Sequence, residues 1–169
     1  MPPDHDRPEP TLDDKGSGHR RITSYAATLA TYGATVGALV AVGAARRRND
    51  LPCVGPFDLA VHGLATFKLA RVLTKDAVTS PLRAPFAHYE GRADTPAEVM
   101  ETPRARHGAR RTIGELVTCP FCVAQWVGTG FAAGLVFAPR ATRLAMTTLS
   151  AIAISDFTQF AYVAAEKRT

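Results

Sequence analysis

The chain has 169 residues, a formal net charge of +5 and a hydrophobic fraction of 46%. Its charged residues are concentrated in two blocks, residues 1–21 and 87–111, and the segments between them consist largely of Ala, Leu, Val, Gly and Thr. This segregation is typical of a membrane protein. The arginine clusters lack interleaved aromatic residues, so the composition disfavours nucleic acid as a partner. Three cysteines are too few for a disulfide framework.

The N-terminal part of the chain predicts a polar tail followed by a transmembrane helix. Residues 1–21 are rich in proline and charge and lack the basic start and apolar core of a secretory signal, so they predict a disordered tail. Residues 22–45 contain no charged residue, and about 20 residues suffice to cross a bilayer. They predict the first span, whose Gly33-xxx-Gly37 spacing would let another helix approach closely.

The next helical segment, residues 57–73, is less clearly a span. It contains four polar or charged side chains: Asp58, His62, Lys68 and Arg71. The segment therefore predicts either a polar span shielded by its neighbours or a helix that lies in the membrane interface. We expect His62 to be a hydrogen-bonded interior residue, with a metal ligand as the alternative.

Two further apolar runs, residues 114–138 and 141–165, predict the last two spans. Pro120 interrupts the first of them, and proline is accepted in the first turn of a helix but not further in. We therefore expect the regular helix to begin near Thr118 or Cys119. The fold class predicted is all-α, an integral membrane protein with three to four transmembrane helices.

The long loop and the C-terminus are predicted to be cytoplasmic. The helical membrane domain covers residues 56–165, and its loop is predicted to be partly disordered over residues 87–112, where the composition is polar. Lysine and arginine accumulate on the side that carries this loop and the C-terminus, and such residues mark the cytoplasmic side. The expected localisation is the cytoplasmic (inner) membrane, with a multi-pass topology.

Cys119 and Cys122 form a Cys-x-x-Cys pair at the start of the third apolar run. A helix N-terminus stabilises thiolate, which favours a redox pair, although no βαβ pattern surrounds these residues. A transition metal such as zinc would need further ligands. The available candidates are His62, His88, His107, Cys53 and Glu115. The third interpretation is that the two cysteines only pack at a helix interface, because cysteine is small and apolar. In that case no cofactor is expected.

Asp156 is a carboxylate inside a predicted span, which is costly unless it is paired. If residues 57–73 cross the bilayer, Lys68 and Arg71 reach a similar depth. The sequence thus predicts an ion pair between Asp156 and one of these residues that holds two helices in register. The alternatives are an ion or proton pathway and simple exposure of the carboxylate to water in a cavity.

Two stretches carry a resemblance to a known family. They are LATFKLARVLTKDAVTSPLRAPF, residues 64–86, and GELVTCPFCVAQWVG, residues 114–128. Together they resemble the bacterial membrane family known as domain of unknown function 1360. The resemblance implies a small helical protein of the cytoplasmic membrane, with no known activity to transfer. It also implies that eight residues form one site or one interface: Lys68, Arg71, Asp76, Arg83, Glu115, Cys119, Cys122 and Trp126.

The function predicted from the sequence is that of a non-enzymatic membrane component. Its expected partners are the lipid bilayer and either another membrane protein or a second copy of the chain. The alternative is a membrane thiol-disulfide oxidoreductase or metal-binding protein that uses Cys119 and Cys122. A small transporter, which would depend on Asp156, is a third hypothesis.

Overall fold

The computed structural model describes residues 12–45 and 54–167, and these residues are mostly helical. A 3₁₀ turn, Ala77–Thr79, follows the second helix. The six α-helices and two strands are, in chain order, α1 Leu12–Ala45, α2 Pro56–Thr74, α3 Ser80–Arg83, β1 Ala87–Arg92, β2 Val99–Pro103, α4 Ala109–Thr118, α5 Pro120–Phe137 and α6 Pro139–Glu166.

The long helices form a bundle in which α2 packs against both α5 and α6. α2 and α6 run parallel, because the Ser150 hydroxyl donates to the carbonyl of Val61 at 2.7 Å and Lys68 reaches Asp156 further along. α5 runs antiparallel to both, and α1 lies along α5. The C-termini of α2 and α6 and the N-termini of α1 and α5 therefore meet at one end, together with the strands. We call it the hairpin end.

Small residues make the closest helix contacts in the bundle. A Cβ placed on Gly128 would lie 3.6 Å from the Thr66 side chain, and one on Gly134 would lie 2.5 Å from the Thr142 hydroxyl. The buried apolar residues of the described segments are likewise mostly small: Ala65, Ala70, Ala87, Val99, Met146 and Ala153. Many large apolar side chains point outward instead, among them Phe121, which is 89% exposed.

Two described helical segments are long and apolar enough to cross a membrane, Tyr25–Ala45 and Pro120–Phe137. The buried share of the first segment is 0% and that of the second is 11%. A central helix of a soluble protein would be mostly buried, since exposed apolar surface is unfavourable in water. Two of the described helical segments thus have the length and composition expected of transmembrane helices.

The all-α prediction is wrong for the long loop, which contains an antiparallel hairpin. Ala87 pairs with Pro103, and the register continues to the pair of Arg92 and Val99. A bulge between Tyr89 and Gly91 interrupts it. Both strands lie within the loop that was predicted to be partly disordered over residues 87–112. The strands have six and five residues and are half polar, so their composition resembles that of a loop.

The hairpin is held by packing against α4. A Cβ on Gly114 would lie 2.8 Å from the carbonyl oxygen of Phe86 and 3.0 Å from Cβ of Pro103. The amide of Arg104 also donates to the Phe86 carbonyl at 2.8 Å. A two-stranded hairpin alone is only marginally stable, so this contact with α4 supplies much of its order.

The observed start of α5 agrees with the start predicted from the sequence, whereas the observed start of α1 differs from the predicted one. α5 begins at Pro120 with Cys119 as its N-cap, which confirms the predicted start. α1 begins at Leu12, so residues 12–21 of the predicted tail are helical. Residues 1–11 of that tail, and Cys53 among the metal-ligand candidates, lie outside the described residues.

Candidate functional site at the hairpin end

A buried ion pair joins the hairpin to the helices. Arg83 Nε lies 2.5 Å from Glu101 Oε2, and both side chains are 2% exposed. The Ser80 hydroxyl donates to the other carboxylate oxygen of Glu101, also at 2.5 Å. Burial of an ion pair is tolerable only when further hydrogen bonds satisfy the remaining donors and acceptors. Glu101 meets this requirement through Ser80.

The remaining N–H groups of Arg83 are satisfied by acceptors at and just after the end of α2. Its two Nη atoms donate to the carbonyls of Leu73 and Asp76, both at 2.9 Å, and to the Thr79 hydroxyl at 2.6 Å. That hydroxyl in turn donates to the carbonyl of Val72. The last carbonyls of a helix have no partner within the helix. Arg83 and Thr79 therefore close the C-terminus of α2 and fix the hairpin to it.

A second pair lies closer to the surface. Arg71 binds both carboxylate oxygens of Glu98, with Nη2 at 2.6 Å from each and Nε at 2.9 Å from Oε1. Such bidentate pairing fixes orientation as well as charge. The Arg71 guanidinium also lies 5.8 Å from the centre of the Phe67 ring. Arg71 therefore binds the hairpin turn, residues 93–98 between β1 and β2, and not Asp156.

Lys68 is the residue that pairs with Asp156. Its Nζ lies 2.6 Å from Asp156 Oδ2. This is one of the two pairings that the sequence predicted. The neighbouring rings of Phe67 and Phe157 are stacked with their centres 5.5 Å apart. The ion pair and the stacked rings together hold α2 and α6 in register.

These two pairs border a cleft of about 710 Å³ between α2, α6 and the hairpin turn. Asp76 also lines it, and its carboxylate accepts a bond from the amide of Val78 at 3.4 Å, at the start of the 3₁₀ turn. The predicted site residues Lys68, Arg71, Asp76 and Asp156 thus come together around one cleft.

Glu115 and Trp126 lie elsewhere, where α1 meets α4 and α5. Glu115 accepts bonds from Arg111 Nε at 2.8 Å and from the Tyr25 hydroxyl at 2.7 Å. Trp126 meets the Tyr32 ring edge to face, with the ring centres 5.1 Å apart. These contacts tie α1 to the rest of the bundle.

The two cysteines stand at the N-terminus of α5 with their Sγ atoms 2.6 Å apart. The Cys122 amide donates to Cys119 Sγ at 3.3 Å, so Cys119 caps the helix. His62 lies deeper in the bundle, where its Nε2 is 3.0 Å from the Gly128 carbonyl. In the part of the chain that the structure describes, no three His, Cys, Asp or Glu side chains form a group that could hold a metal ion.

The structure therefore divides the residues expected to form one site. Three of the eight, Lys68, Arg71 and Asp76, line the cleft together with Asp156. Arg83 belongs to the buried pair beside it, and the others lie along α4 and α5. Sequence reasoning missed Glu98 and Glu101, the partners of Arg71 and Arg83. The sequence offered one signal for these residues, the stretch Glu-Val-Met-Glu at residues 98–101. In the structure Val99 and Glu101 are buried, and Met100 between them is exposed.

Comparison with known proteins gives a family and one curated relative of note. The chain is 30% identical over 74 residues to "Sporulation protein YjcA" of Bacillus subtilis (strain 168). That match covers 43% of this chain and 63% of the relative. No solved structure matches. Residues 61–162 match the family described as "Protein of unknown function (DUF1360)", and this range contains the hairpin, the cysteine pair and most residues that line the cleft. The chain therefore belongs to the DUF1360 family.

Proposed function

We propose that this protein is a multi-pass integral membrane protein in which α1, α2, α5 and α6 all span the bilayer. It acts without enzymatic activity, as a membrane component that binds another protein or a second copy of itself. The observation that carries this proposal is α5, which α1, α2 and α6 all contact although only 11% of its apolar segment is buried. Lipid would cover the remaining apolar surface without the cost of exposing it to water.

The length of α2 supports a span. This helix has 19 residues and is therefore about 28 Å long, close to the thickness of a bilayer core of about 30 Å. Asp58 lies in its first turn and accepts a bond from the Gly55 amide at 3.1 Å. Lys68 and Arg71 lie in its last two turns, at the hairpin end. Asp58 is ten residues from Lys68, about 15 Å along the helix, so it would lie within the bilayer with the Gly55 amide as its partner.

The length of α6 supports a boundary near Asp156. α6 has 28 residues, about 42 Å, and runs antiparallel to the 18-residue α5 after a turn at Ala138. A residue about 18 positions into α6 is therefore level with the start of α5. Asp156 is close to that position. Its ion pair with Lys68 would lie at the membrane surface, where a charge costs far less than at the bilayer centre.

The basic residues favour a cytoplasmic hairpin end. Arg104, Arg106 and Arg110 are exposed beside the hairpin, and lysine and arginine accumulate on the cytoplasmic side. The charged residues of the site also have structural partners: Arg83 binds Glu101, Arg71 binds Glu98, and Lys68 binds Asp156. Side chains held in this way stabilise an architecture, which favours a non-enzymatic role.

A binding surface of α1 is open to a partner helix. A Cβ on Gly33 or Gly37 would meet nothing within 4 Å, and this spacing of glycines allows close helix approach in membranes. Because the Bacillus subtilis relative is a sporulation protein, we infer that the partner belongs to a developmental process at the membrane.

Membrane extraction and site-directed labelling test this proposal. In a chain whose three cysteines are replaced by serine, His107→Cys would report on the hairpin end and Ala138→Cys on the opposite end. Carbonate washing should leave the protein in the membrane pellet. A membrane-impermeant maleimide should label Ala138→Cys in intact cells and His107→Cys only after the membrane is opened.

Three outcomes would contradict different parts of the proposal. Release into the carbonate supernatant would exclude an integral membrane protein. Labelling of both positions from the same side would exclude a span at α5. Labelling of His107→Cys alone in intact cells would keep the spans and reverse the orientation.

Thiol-disulfide exchange is a second candidate function, favoured by the proximity of the Cys119 and Cys122 thiols at the N-terminus of α5. One thiolate would attack a disulfide of a partner protein, and the other would then resolve the mixed disulfide and leave the partner reduced. An oxidoreductase should lose its activity when either cysteine is replaced by serine. A non-enzymatic component should tolerate both changes.

A further inference from the structure

We propose that the face of α5 that carries Gln125 binds the same face of a second copy of this protein, so that two α5 helices lie side by side in the membrane. This inference rests on the proposed membrane location, and it adds the identity of the partner and the surface that binds it. Its support is an exposed side-chain amide whose carbonyl oxygen accepts no hydrogen bond from the described residues.

The amide of Gln125 is held by a closed set of hydrogen bonds between α5 and α1. Its Nε2 donates to the Tyr32 hydroxyl at 2.7 Å, and that hydroxyl lies 2.7 Å from the Thr129 hydroxyl. The Thr129 hydroxyl donates to the backbone carbonyl of Gln125 at 2.9 Å, so Tyr32 is the donor to Thr129. These bonds use one of the two N–H donors of the amide. Its other N–H and its Oε1 have no partner among the described residues.

The unpaired atoms of Gln125 lie at a depth where lipid offers no hydrogen bond. In the proposed topology α5 begins at the membrane surface, and Gln125 is five residues after Pro120, about 7.5 Å deeper. The half-thickness of the hydrocarbon core is about 15 Å. Because Tyr32 holds Nε2, the amide is not free to extend to the headgroups. A polar group without a partner in hydrocarbon is unfavourable, so another protein is needed to supply the missing bonds.

A second copy supplies these bonds by symmetry. Two copies with the same orientation in a membrane are related by a two-fold axis along the membrane normal, so the same face of each α5 meets the other. Gln125 then lies opposite Gln125 of the second copy. An amide is both donor and acceptor, so each Nε2 can donate to the Oε1 of the other copy. Such side chains join helices in membranes. This self-complementarity favours a second copy over a different protein.

The surface around Gln125 is open to another helix. Around the axis of α5, Gln125 lies between Thr129, which contacts α1, and Gly128, which contacts α2. Phe121 and Ala132 are exposed on the same face, four residues before Gln125 and seven residues after it. The face therefore opens between α1 and α2, with an apolar residue on each side of the amide along the helix.

Disulfide cross-linking in native membranes tests this surface. In a chain whose three cysteines are replaced by serine, Ala132→Cys places a thiol on the Gln125 face. Gly130→Cys is the matched control, because Gly130 is also exposed on α5 but lies about 140° around the helix from Gln125. Oxidation with copper phenanthroline should convert Ala132→Cys to a disulfide-linked dimer and leave Gly130→Cys monomeric.

Sedimentation equilibrium of the full chain in a density-matched detergent measures the affinity of the dimer. Gln125→Leu should weaken the dimer about tenfold, the loss expected for two hydrogen bonds between membrane helices. Thr148→Val is the matched control. Thr148 is also an exposed polar side chain of a long helix, but its hydroxyl donates to the carbonyl of Leu144 in the same helix at 3.0 Å. This variant should leave the affinity unchanged.

Tyr32→Phe distinguishes a bond between copies from a bond within one copy. It removes the hydroxyl that binds Gln125 and keeps the ring that packs against Trp126. The dimer should persist in this variant, because the amide that joins the two copies is retained. The melting temperatures of Tyr32→Phe and Gln125→Leu verify that both variants fold.

Several results would overturn the proposal. They are a monomer at every concentration, cross-linking of Gly130→Cys in place of Ala132→Cys, an equal loss of affinity in Gln125→Leu and Thr148→Val, or an equal loss in Gln125→Leu and Tyr32→Phe. A cross-link from Ala132→Cys to a different protein in cells would assign the face to that protein and overturn the second copy. Carbonate extraction separates this proposal from the broader one: a protein that stays in the membrane as a monomer contradicts the dimer alone.

Discussion

At the hairpin end, Arg83 and Glu101 are buried against each other at 2.5 Å, and two further side chains, Ser80 and Arg71, bind carboxylates of the hairpin. Halfway along the bundle, by contrast, Gly128 packs closely on Thr66, beside the edge-to-face contact of Trp126 with Tyr32. The first region is specified by directional bonds between charged groups. The second is specified by the close approach of backbones, and its outer apolar faces depend on the surrounding medium.

This contrast has a physical reason. Water competes for polar groups, so an ion pair specifies a structure best where it is buried and fully bonded. In a bilayer core there is little hydrophobic gain from bringing two apolar helices together, and small residues that permit close packing take over. Variants in each region should therefore fail in different ways.

The largest effect is expected from Glu101→Ala at the hairpin end. It leaves the Arg83 guanidinium buried beside an empty space, and removal of one partner of a buried ion pair costs about 3–5 kcal/mol in the free energy of unfolding. Thermal unfolding in detergent, together with limited proteolysis of residues 87–103, measures it. Glu90→Ala on the same hairpin is the control. Equal melting temperatures of the two variants would show that the buried pair does not specify this region.

Gly114→Ala should be the next most disruptive change. The new Cβ would lie 2.8 Å from the Phe86 carbonyl oxygen, a backbone atom, so the hairpin and α4 must move apart at a cost of about 1–3 kcal/mol. Gly130→Ala in α5 is the matched control, because its Cβ meets nothing within 4 Å and alanine favours a helix by about 1 kcal/mol. The two melting temperatures should shift in opposite directions. A shift in the same direction would contradict the packing described here.

The ion pair between Lys68 and Asp156 should contribute less, about 1 kcal/mol, because both side chains are partly exposed. Lys68→Asp and Asp156→Lys should each lower the melting temperature, and the double variant should recover most of the loss. A double-mutant cycle gives the coupling. No recovery in the double variant would mean that the pair does not hold α2 and α6 in register.

The smallest effect is expected from Cys119→Ser and Cys122→Ser, within about 0.5 kcal/mol, if the pair has only a packing role. Acid-quenched alkylation of cells with a mass-tagged maleimide should then find both thiols reduced. Partial oxidation that follows the redox state of the cell would instead support the oxidoreductase. Protection that a chelator releases would support the metal site.

The sequence predicted the positions of the helices better than the partners of the charged residues. An apolar run of 18 or more residues specifies a helix by its own composition, and Pro120 specifies the start of α5. The pairing of Asp156 with Lys68 could also be anticipated, since a carboxylate in an apolar helix needs a cation at similar depth. The choice of Lys68 over Arg71 could not be predicted from spacing, because it depends on Glu98, far along the chain.

The sequence by itself therefore determined a helical chain with membrane-compatible segments, the family and one ion pair. Only the tertiary structure decided that residues 87–103 form a hairpin, because its order comes from the contact of Gly114 with Phe86 and from the buried pair of Arg83 and Glu101. It also decided that Asp156 is level with the start of α5, which depends on how far α6 extends past α5. Local composition specifies helices, whereas contacts between distant segments bring charges together and form a cleft.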